Sequence, residues 1–102
     1  MKIESRHVDL ELLEDKFYTS LDLTFYKNEN GIERKYYIFL NKLTNELMVG
    51  FYTQNQSVVL GKIGLNTDEV TMWEKKLKSI RSIEDFRNLY DEVSGDKVPI
   101  WS

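Results

Sequence analysis

The spacing of apolar residues changes once along the chain, near Gly64, and this change constrains the fold more than any other feature. Before Gly64, apolar and polar residues alternate, as in the run Leu21–Phe25, which is typical of strands with one buried face. After Gly64, apolar residues recur at helical spacing. This order predicts an α+β fold in which an antiparallel sheet precedes the helices.

Two turn signals predict how the strands pair. Asn30-Gly31 is the stronger, because both residues tolerate the positive φ angles of a two-residue type I′ turn. A second turn is expected at Thr44-Asn45. The first turn predicts the pairs Phe25–Tyr36, Leu23–Ile38 and Leu21–Leu40, and the second predicts Leu40–Val49, Ile38–Phe51 and Tyr36–Thr53. Every pair in the first set then joins two apolar residues across the ladder.

The predicted sheet is a meander of about four strands over residues 17–64, and residues 8–13 are a candidate extra edge strand. The register of the fourth strand stays open, since either Val59 and Ile63 or Val58 and Leu60 could face inward. The residues expected to face the helices are Phe17, Leu21, Leu23, Phe25, Tyr36, Ile38, Leu40, Leu47, Val49 and Phe51.

Two helices, rather than one, are predicted after residue 64. Their apolar stripes are Val70, Trp73, Leu77 and Ile80, and then Ile83, Phe86, Tyr90 and Val93. The second stripe does not continue the first at 100° per residue, which indicates a break near Ser82. Asn66 or Thr67 can cap the first helix, Ser82 the second, and Gly95 can end it. The helices are expected to pack on one face of the sheet within a single domain, residues 1–102.

Several kinds of chemistry lack the residues they need. The chain has no cysteine and one histidine, His7, so thiolate chemistry and Cys- or His-rich metal sites are excluded. Gly61-Lys62 is followed by Ile63, which does not match a phosphate-binding P-loop. Paired carboxylates are adjacent in sequence rather than spaced to converge. We therefore expect a protein that is not an enzyme, with no catalytic residues, no metal site and no cofactor.

Composition suggests where the protein works. The chain has no alanine, one proline and five glycines, which points to a low-GC genome such as that of a bacterium or its mobile elements. No apolar run approaches the ~18 residues of a membrane span, and the N-terminus lacks the apolar core of a signal peptide. A cytoplasmic location without membrane association is expected. The net charge of −3 argues against nonspecific binding of nucleic acid.

The predicted register leaves aromatic residues and methionine on the side of the sheet away from the helices. We call this side the tyrosine face; its candidate partner-binding residues are Tyr18, Tyr26, Tyr37, Phe39, Met48 and Tyr52. They stand among Ser20, Asp22, Thr24 and Lys35, and Tyr37 is expected directly opposite Tyr52. Such residue types are enriched at interfaces. The alternatives are that tyrosines merely suit strands, or that the N-terminal segment or the Trp101 tail covers this face.

Four acidic residues near the N-terminus, Asp9, Glu11, Glu14 and Asp15, are candidate contacts for a basic partner. The simpler interpretation is that they form the polar half of an alternating strand.

These observations favour a small non-catalytic protein-binding module that inhibits its target by occlusion, as immunity proteins, antitoxins and phage-encoded anti-defence proteins do. Its partner would be a protein, such as a basic protein that handles nucleic acid, or a second copy of the chain. The alternative is a binder of nucleotides or single-stranded nucleic acid that stacks bases on the tyrosines, aided by Lys35, Lys42 and Lys62.

Overall fold

The computed structural model describes residues 7–26 and 31–95. Five antiparallel strands form one sheet in the order in which they occur in the chain. They are β1 (His7–Glu14), β2 (Tyr18–Tyr26), β3 (Ile32–Asn41), β4 (Glu46–Thr53) and β5 (Ser57–Gly64), and they are followed by α1 (Thr67–Ser79) and α2 (Ile83–Ser94). The predicted α+β meander with two C-terminal helices is confirmed, and the candidate N-terminal edge strand is present as β1.

Both helices pack on the same face of the sheet, α1 over β2 and β3 and α2 over β4 and β5. The buried hydrophobic side chains between the two layers are Leu21, Leu23, Phe25, Tyr36, Ile38, Leu40, Leu47, Val49, Trp73, Leu77, Phe86, Leu89 and Tyr90. Nine of the ten sheet residues predicted to face the helices lie in this core or, like Phe51, pack against it. The exception is Phe17, which is 47% exposed because it lies in the turn before β2.

The first hairpin differs from its predicted register by two residues. Leu23 pairs with Tyr36 rather than Ile38, and Leu21 pairs with Ile38 rather than Leu40. A β-bulge after Phe25 and a connection longer than two residues, from Tyr26 to Ile32, account for the shift. Gly31 has a φ of 133°, whereas Asn30 lies outside the described residues. Phe25 now pairs with Arg34, whose guanidinium carbon lies 4.7 Å from the centre of the Phe25 ring.

The second hairpin is also shifted by two residues. Leu40 pairs with Leu47, Ile38 with Val49 and Tyr36 with Phe51, because the loop of residues 42–45 is centred one residue before the predicted Thr44-Asn45 turn. The Asn41 side-chain oxygen accepts hydrogen bonds from the backbone N–H groups of Leu43 and Thr44, at 2.9 Å and 3.1 Å. Asn45 has a φ of 57°, a conformation that asparagine tolerates.

The fourth predicted strand, β5, follows the second of the two open registers at Val58 and Leu60 but not at its C-terminal end, where Ile63 lies opposite the buried Leu47 and is therefore on the helix side. Leu60 packs against the core, whereas Val59 is 55% exposed. A bulge in the pairing of β4 with β5 falls between Val49 and Gly50. Gly61 faces α2 so closely that a Cβ atom there would lie 2.9 Å from the carbonyl oxygen of Val93.

The helix boundaries confirm the predicted caps. The Asn66 side chain accepts from the Glu69 backbone N–H, and the Glu69 side chain accepts from the Asn66 N–H in return. The Ser82 hydroxyl accepts from the backbone N–H of Asp85 at 3.1 Å, and Gly95 ends α2 in a left-handed conformation. Ile83, expected in the buried stripe, is instead 42% exposed, since it begins the helix. Neither helix within residues 7–26 and 31–95 has the length and apolarity to cross a bilayer.

Candidate functional site

The tyrosine face carries a groove with a volume of about 360 Å³. Because both helices lie on the other side of the sheet, no helix or strand within the described ranges packs over it. The groove is lined by Leu13, Tyr18, Ser20, Asp22, Tyr37, Phe39, Met48 and Tyr52. Its walls therefore come from the outward side chains of four neighbouring strands.

The aromatic walls form two pairs. The rings of Tyr18 and Phe39 are stacked, with centroids 5.4 Å apart. The rings of Tyr37 and Tyr52 are 6.3 Å apart and tilted by 40°. The predicted direct pairing of Tyr37 with Tyr52 is wrong, because Tyr37 lies opposite Gly50 and Tyr52 lies opposite Lys35. The two tyrosines are diagonal neighbours instead.

The floor of the groove holds a buried carboxylate. Asp22 is only 7% exposed, and its Oδ1 accepts a hydrogen bond of 2.7 Å from the Ser20 hydroxyl. Burial raises the pKa of Asp22 above its usual value; the Ser20 hydrogen bond and the charge of Lys35 oppose this, and Glu11 adds to it. Glu11 lies directly opposite Asp22 in the strand register. The face thus concentrates negative charge on the side of β1 and β2.

Lys35 links this carboxylate to the aromatic walls. Its Nζ lies 3.9 Å from Asp22 Oδ2 and 5.6 Å from the centre of the Tyr52 ring. Partial burial acts to lower the pKa of Lys35, but a hydrogen bond to Tyr52 and the charges of Tyr52, Asp22 and Glu11 raise it overall. Lys35 therefore stays protonated at neutral pH and contacts both an anion and a ring.

Five of the six predicted aromatic and methionine residues come together in this groove, namely Tyr18, Tyr37, Phe39, Met48 and Tyr52. Tyr26 does not line it; it is half-buried at the end of β2, beyond the bulge. Leu13, Ser20 and Asp22 also line the groove, although they were not among the predicted site residues. For Ser20 and Asp22, which lie opposite Phe39 and Tyr37, the available signal was their period-two spacing.

The four predicted acidic residues do not form one cluster. Asp9 and Glu11 alternate with the inward-packing Val8 and Leu10 on β1 and so share the side of the tyrosine face. Glu14 pairs instead with Lys78 of α1, with 2.6 Å between Oε2 and Nζ.

Asp15 lies in the following turn, where its Oδ1 accepts from the Phe17 backbone N–H at 3.1 Å. This contact stabilises the turn between β1 and β2. Of the four predicted acidic residues, Asp9 and Glu11 therefore share the tyrosine face with Asp22, whereas Glu14 and Asp15 do not.

Within residues 7–26 and 31–95, no three His, Asp or Glu side chains converge as a metal site would require. A comparison of the chain with protein-family models, with curated proteins and with solved structures found no match.

Proposed function

We propose that the protein is a non-catalytic binding module that attaches to a basic protein through the tyrosine face and inhibits it by occlusion. The observation that carries this proposal is the one-sided placement of the helices. They bury the aliphatic side of the sheet and leave an aromatic groove on the other side. The aromatic side chains and Met48 in this groove are half-buried, and apolar patches that stay accessible on a surface mark interaction sites.

The size of the face supports a protein partner. Five strands of eight to ten residues span roughly 20 Å by 25 Å at standard strand spacings. This is the same order of area as the ~800 Å² that each partner contributes to a standard interface. Tyrosine, phenylalanine and methionine are also residue types that interfaces prefer.

Charge supports a basic partner. Asp9, Glu11 and Asp22 lie on the β1–β2 side of the face, and Lys35 is the cation placed between them and Tyr52. Complementary charge steers association and disfavours partners of the wrong sign. The proposal places this encounter in the cytoplasm of a low-GC bacterium.

The alternative function is binding of a nucleotide or single-stranded nucleic acid. The stacked rings of Tyr18 and Phe39 favour it, because every base can stack on an aromatic side chain. The carboxylates beside the groove argue against it, since they repel phosphates. Salt separates the two functions, because phosphate binding weakens steeply with salt concentration.

The test is a comparative capture experiment with three forms of the protein. Immobilised wild type, Tyr37→Ala/Tyr52→Ala and the control Met72→Ala/Ile83→Ala are exposed to lysate of a low-GC bacterium. The control removes two apolar side chains that are 47% and 42% exposed on the helices, away from the tyrosine face. A captured protein is then purified, and its affinity for each form is measured by calorimetry.

The proposal expects the tyrosine variant to lose about tenfold to a hundredfold in affinity, the hot-spot scale, while the control binds as wild type does. Denaturation curves must show that the tyrosine variant keeps most of its stability. A loss of several kcal/mol, typical of truncated core aromatics, would assign these rings to the core and contradict the proposal. Equal binding by both variants would contradict it too, and sizing of the wild type identifies a second copy as the occupant.

A further inference from the structure

We infer that the groove of the tyrosine face binds an arginine side chain of the partner, with Asp22 as its counter-ion and the Tyr37–Tyr52 pair as its aromatic wall. This inference rests on the proposed function and deepens it by naming the chemical group that is recognised. Its ligand is a guanidinium on an aliphatic stem.

The groove is large enough to admit one side chain. At about 360 Å³ it lies at the low end of the range of roughly 300–1,000 Å³ for small-molecule sites. Most of its lining is apolar or aromatic, with one carboxylate, Asp22, at the floor. A guest that fits both parts must carry a cation at the end of an apolar stem.

Asp22 has room for a stronger donor than it now has. Its Oδ1 accepts the 2.7 Å hydrogen bond from Ser20, but the Lys35 Nζ is 3.9 Å from Oδ2. That separation exceeds the 2.7–3.2 Å range of hydrogen bonds. A guanidinium could donate to Oδ2 at hydrogen-bond distance, and such charge-assisted contacts are about twice as strong as neutral ones.

Lys35 shows that the groove already holds a cation. It contacts the same carboxylate and the same Tyr52 ring that the guest would contact. Its side chain is 21% exposed and belongs to a flexible residue type, so it can be displaced toward solvent. Lys35 therefore acts as an internal competitor, and its removal should strengthen binding of the guest.

Arginine fits this site better than lysine or a phosphate. The planar guanidinium stacks on aromatic rings, pairs with carboxylates through two donors and is more weakly hydrated than an ammonium group. The tilted Tyr37 and Tyr52 rings, 6.3 Å apart, offer such a stacking surface. A phosphate would instead meet the negative charges of Asp22 and Glu11.

The experiment uses the peptide acetyl-Gly-Arg-Gly-amide and its citrulline counterpart, which is almost the same shape but uncharged. Each is titrated into the full chain, and chemical shifts of the Tyr37 and Tyr52 rings and of the Asp22 carboxyl are followed by NMR. The inference expects binding in the millimolar range by the arginine peptide, at those three groups, and no saturable shifts with citrulline. Equal shifts with both peptides, or saturation elsewhere, would overturn it.

Three variants test the roles of Asp22 as the counter-ion and of Lys35 as the competitor. Asp22→Asn should weaken arginine binding about tenfold, whereas Lys35→Met should strengthen it several-fold, because one removes the counter-ion and the other the competitor. The control Glu92→Gln removes an exposed charge on α2 and should change nothing. If Asp22→Asn alters the folded spectrum, Lys35→Met still decides, since weaker binding by that variant contradicts the inference.

Failure of this inference differs from failure of the proposed function. A captured protein that loses affinity for Tyr37→Ala/Tyr52→Ala but binds Asp22→Asn like wild type would overturn the arginine site and leave the binding module standing. Arginine-peptide binding without any effect of the tyrosine variant on capture would leave a guanidinium site in the groove, but it would overturn the proposed function and, with it, an arginine of the captured partner as the occupant.

Discussion

The ring of Tyr37 occupies the place where a side chain at position 50 would lie. A Cβ atom on Gly50 would come within 2.5 Å of the Tyr37 hydroxyl oxygen and 2.8 Å of the ring carbon that bears it, and it would be closer still to the backbone carbonyl oxygen of Val58. The carbonyl of Gly50 also accepts a hydrogen bond from the Tyr90 hydroxyl of α2. On the tyrosine face, the absence of a side chain at Gly50 leaves the space that the Tyr37 ring fills. On the helix side, the backbone carbonyl of Gly50 bonds to α2.

Gly50→Ala is expected to destabilise the protein by about 1–3 kcal/mol, because the added methyl group forces Tyr37 or the backbone to move. Urea denaturation measures the loss. The matched control is Gly64→Ala, since a Cβ atom at position 64 would meet nothing within 4 Å. Equal midpoints for the two variants would contradict this prediction, because they would show that Tyr37 and the Val58 carbonyl can move aside without a loss of stability.

Ser82→Ala is expected to lower stability by ~1 kcal/mol, because it removes the hydroxyl that accepts from the first turn of α2. Ser79→Ala is the control; its hydroxyl donates to the exposed carbonyl of Lys76 at the end of α1, and its loss should cost little. The measurement is the denaturation midpoint of each variant, compared with that of the wild type. A larger effect at position 79 than at position 82 would contradict the role of Ser82 as the cap.

Asp22 should make stability depend on pH in the direction opposite to most carboxylates. Its pKa is raised in the folded protein by burial, so between the unfolded value and that raised pKa the folded state binds more protons. Wild-type stability relative to Asp22→Asn should therefore fall as pH rises through this interval, from about pH 4 upward. Urea curves at several pH values test this, and a difference that grows with pH would contradict it.

Glu74 should make stability depend on pH in the direction that is usual for a carboxylate. The hydrogen bond from Lys42, 2.8 Å to Oε2, lowers the pKa of Glu74. The stability it contributes is thus present above the unfolded pKa and lost as pH falls through the lowered folded pKa. Glu74→Gln should cost less than about 1 kcal/mol at neutral pH, because the pair is partly exposed, and nothing in strong acid. A pH-independent cost would contradict this.

Strand faces could be predicted from the sequence, but strand pairing could not. Alternation has a period of two, so a register shifted by two residues leaves Leu23, Ile38 and Val49 on the same face. Hydrophobic matching cannot distinguish such registers. The bulge after Phe25 and the Asn41 side chain in the second loop decide between them, and both are local backbone features that alternation does not report.

For the candidate site, too, alternation predicted which face a residue lies on but not which residue it contacts. Alternation was enough to place Tyr37, Tyr52 and Asp22 on one face, because all three lie in regular strands. It was not enough for Glu14, whose partner Lys78 lies on a helix. The position of α1 over the sheet depends on tertiary packing, which no local pattern in the first twenty residues specifies.

The sheet order, in which every strand pairs with its neighbours in the chain, also bears on how the protein reaches this structure. Each hairpin closes only a short loop, so the sheet can grow strand by strand with little loop-closure entropy. The first long closure comes when α1 meets β2, where the hydrogen-bonded Thr19 and Glu74 are 55 residues apart. Docking of the helices is therefore the step with the highest contact order, and it is the step expected to limit the folding rate.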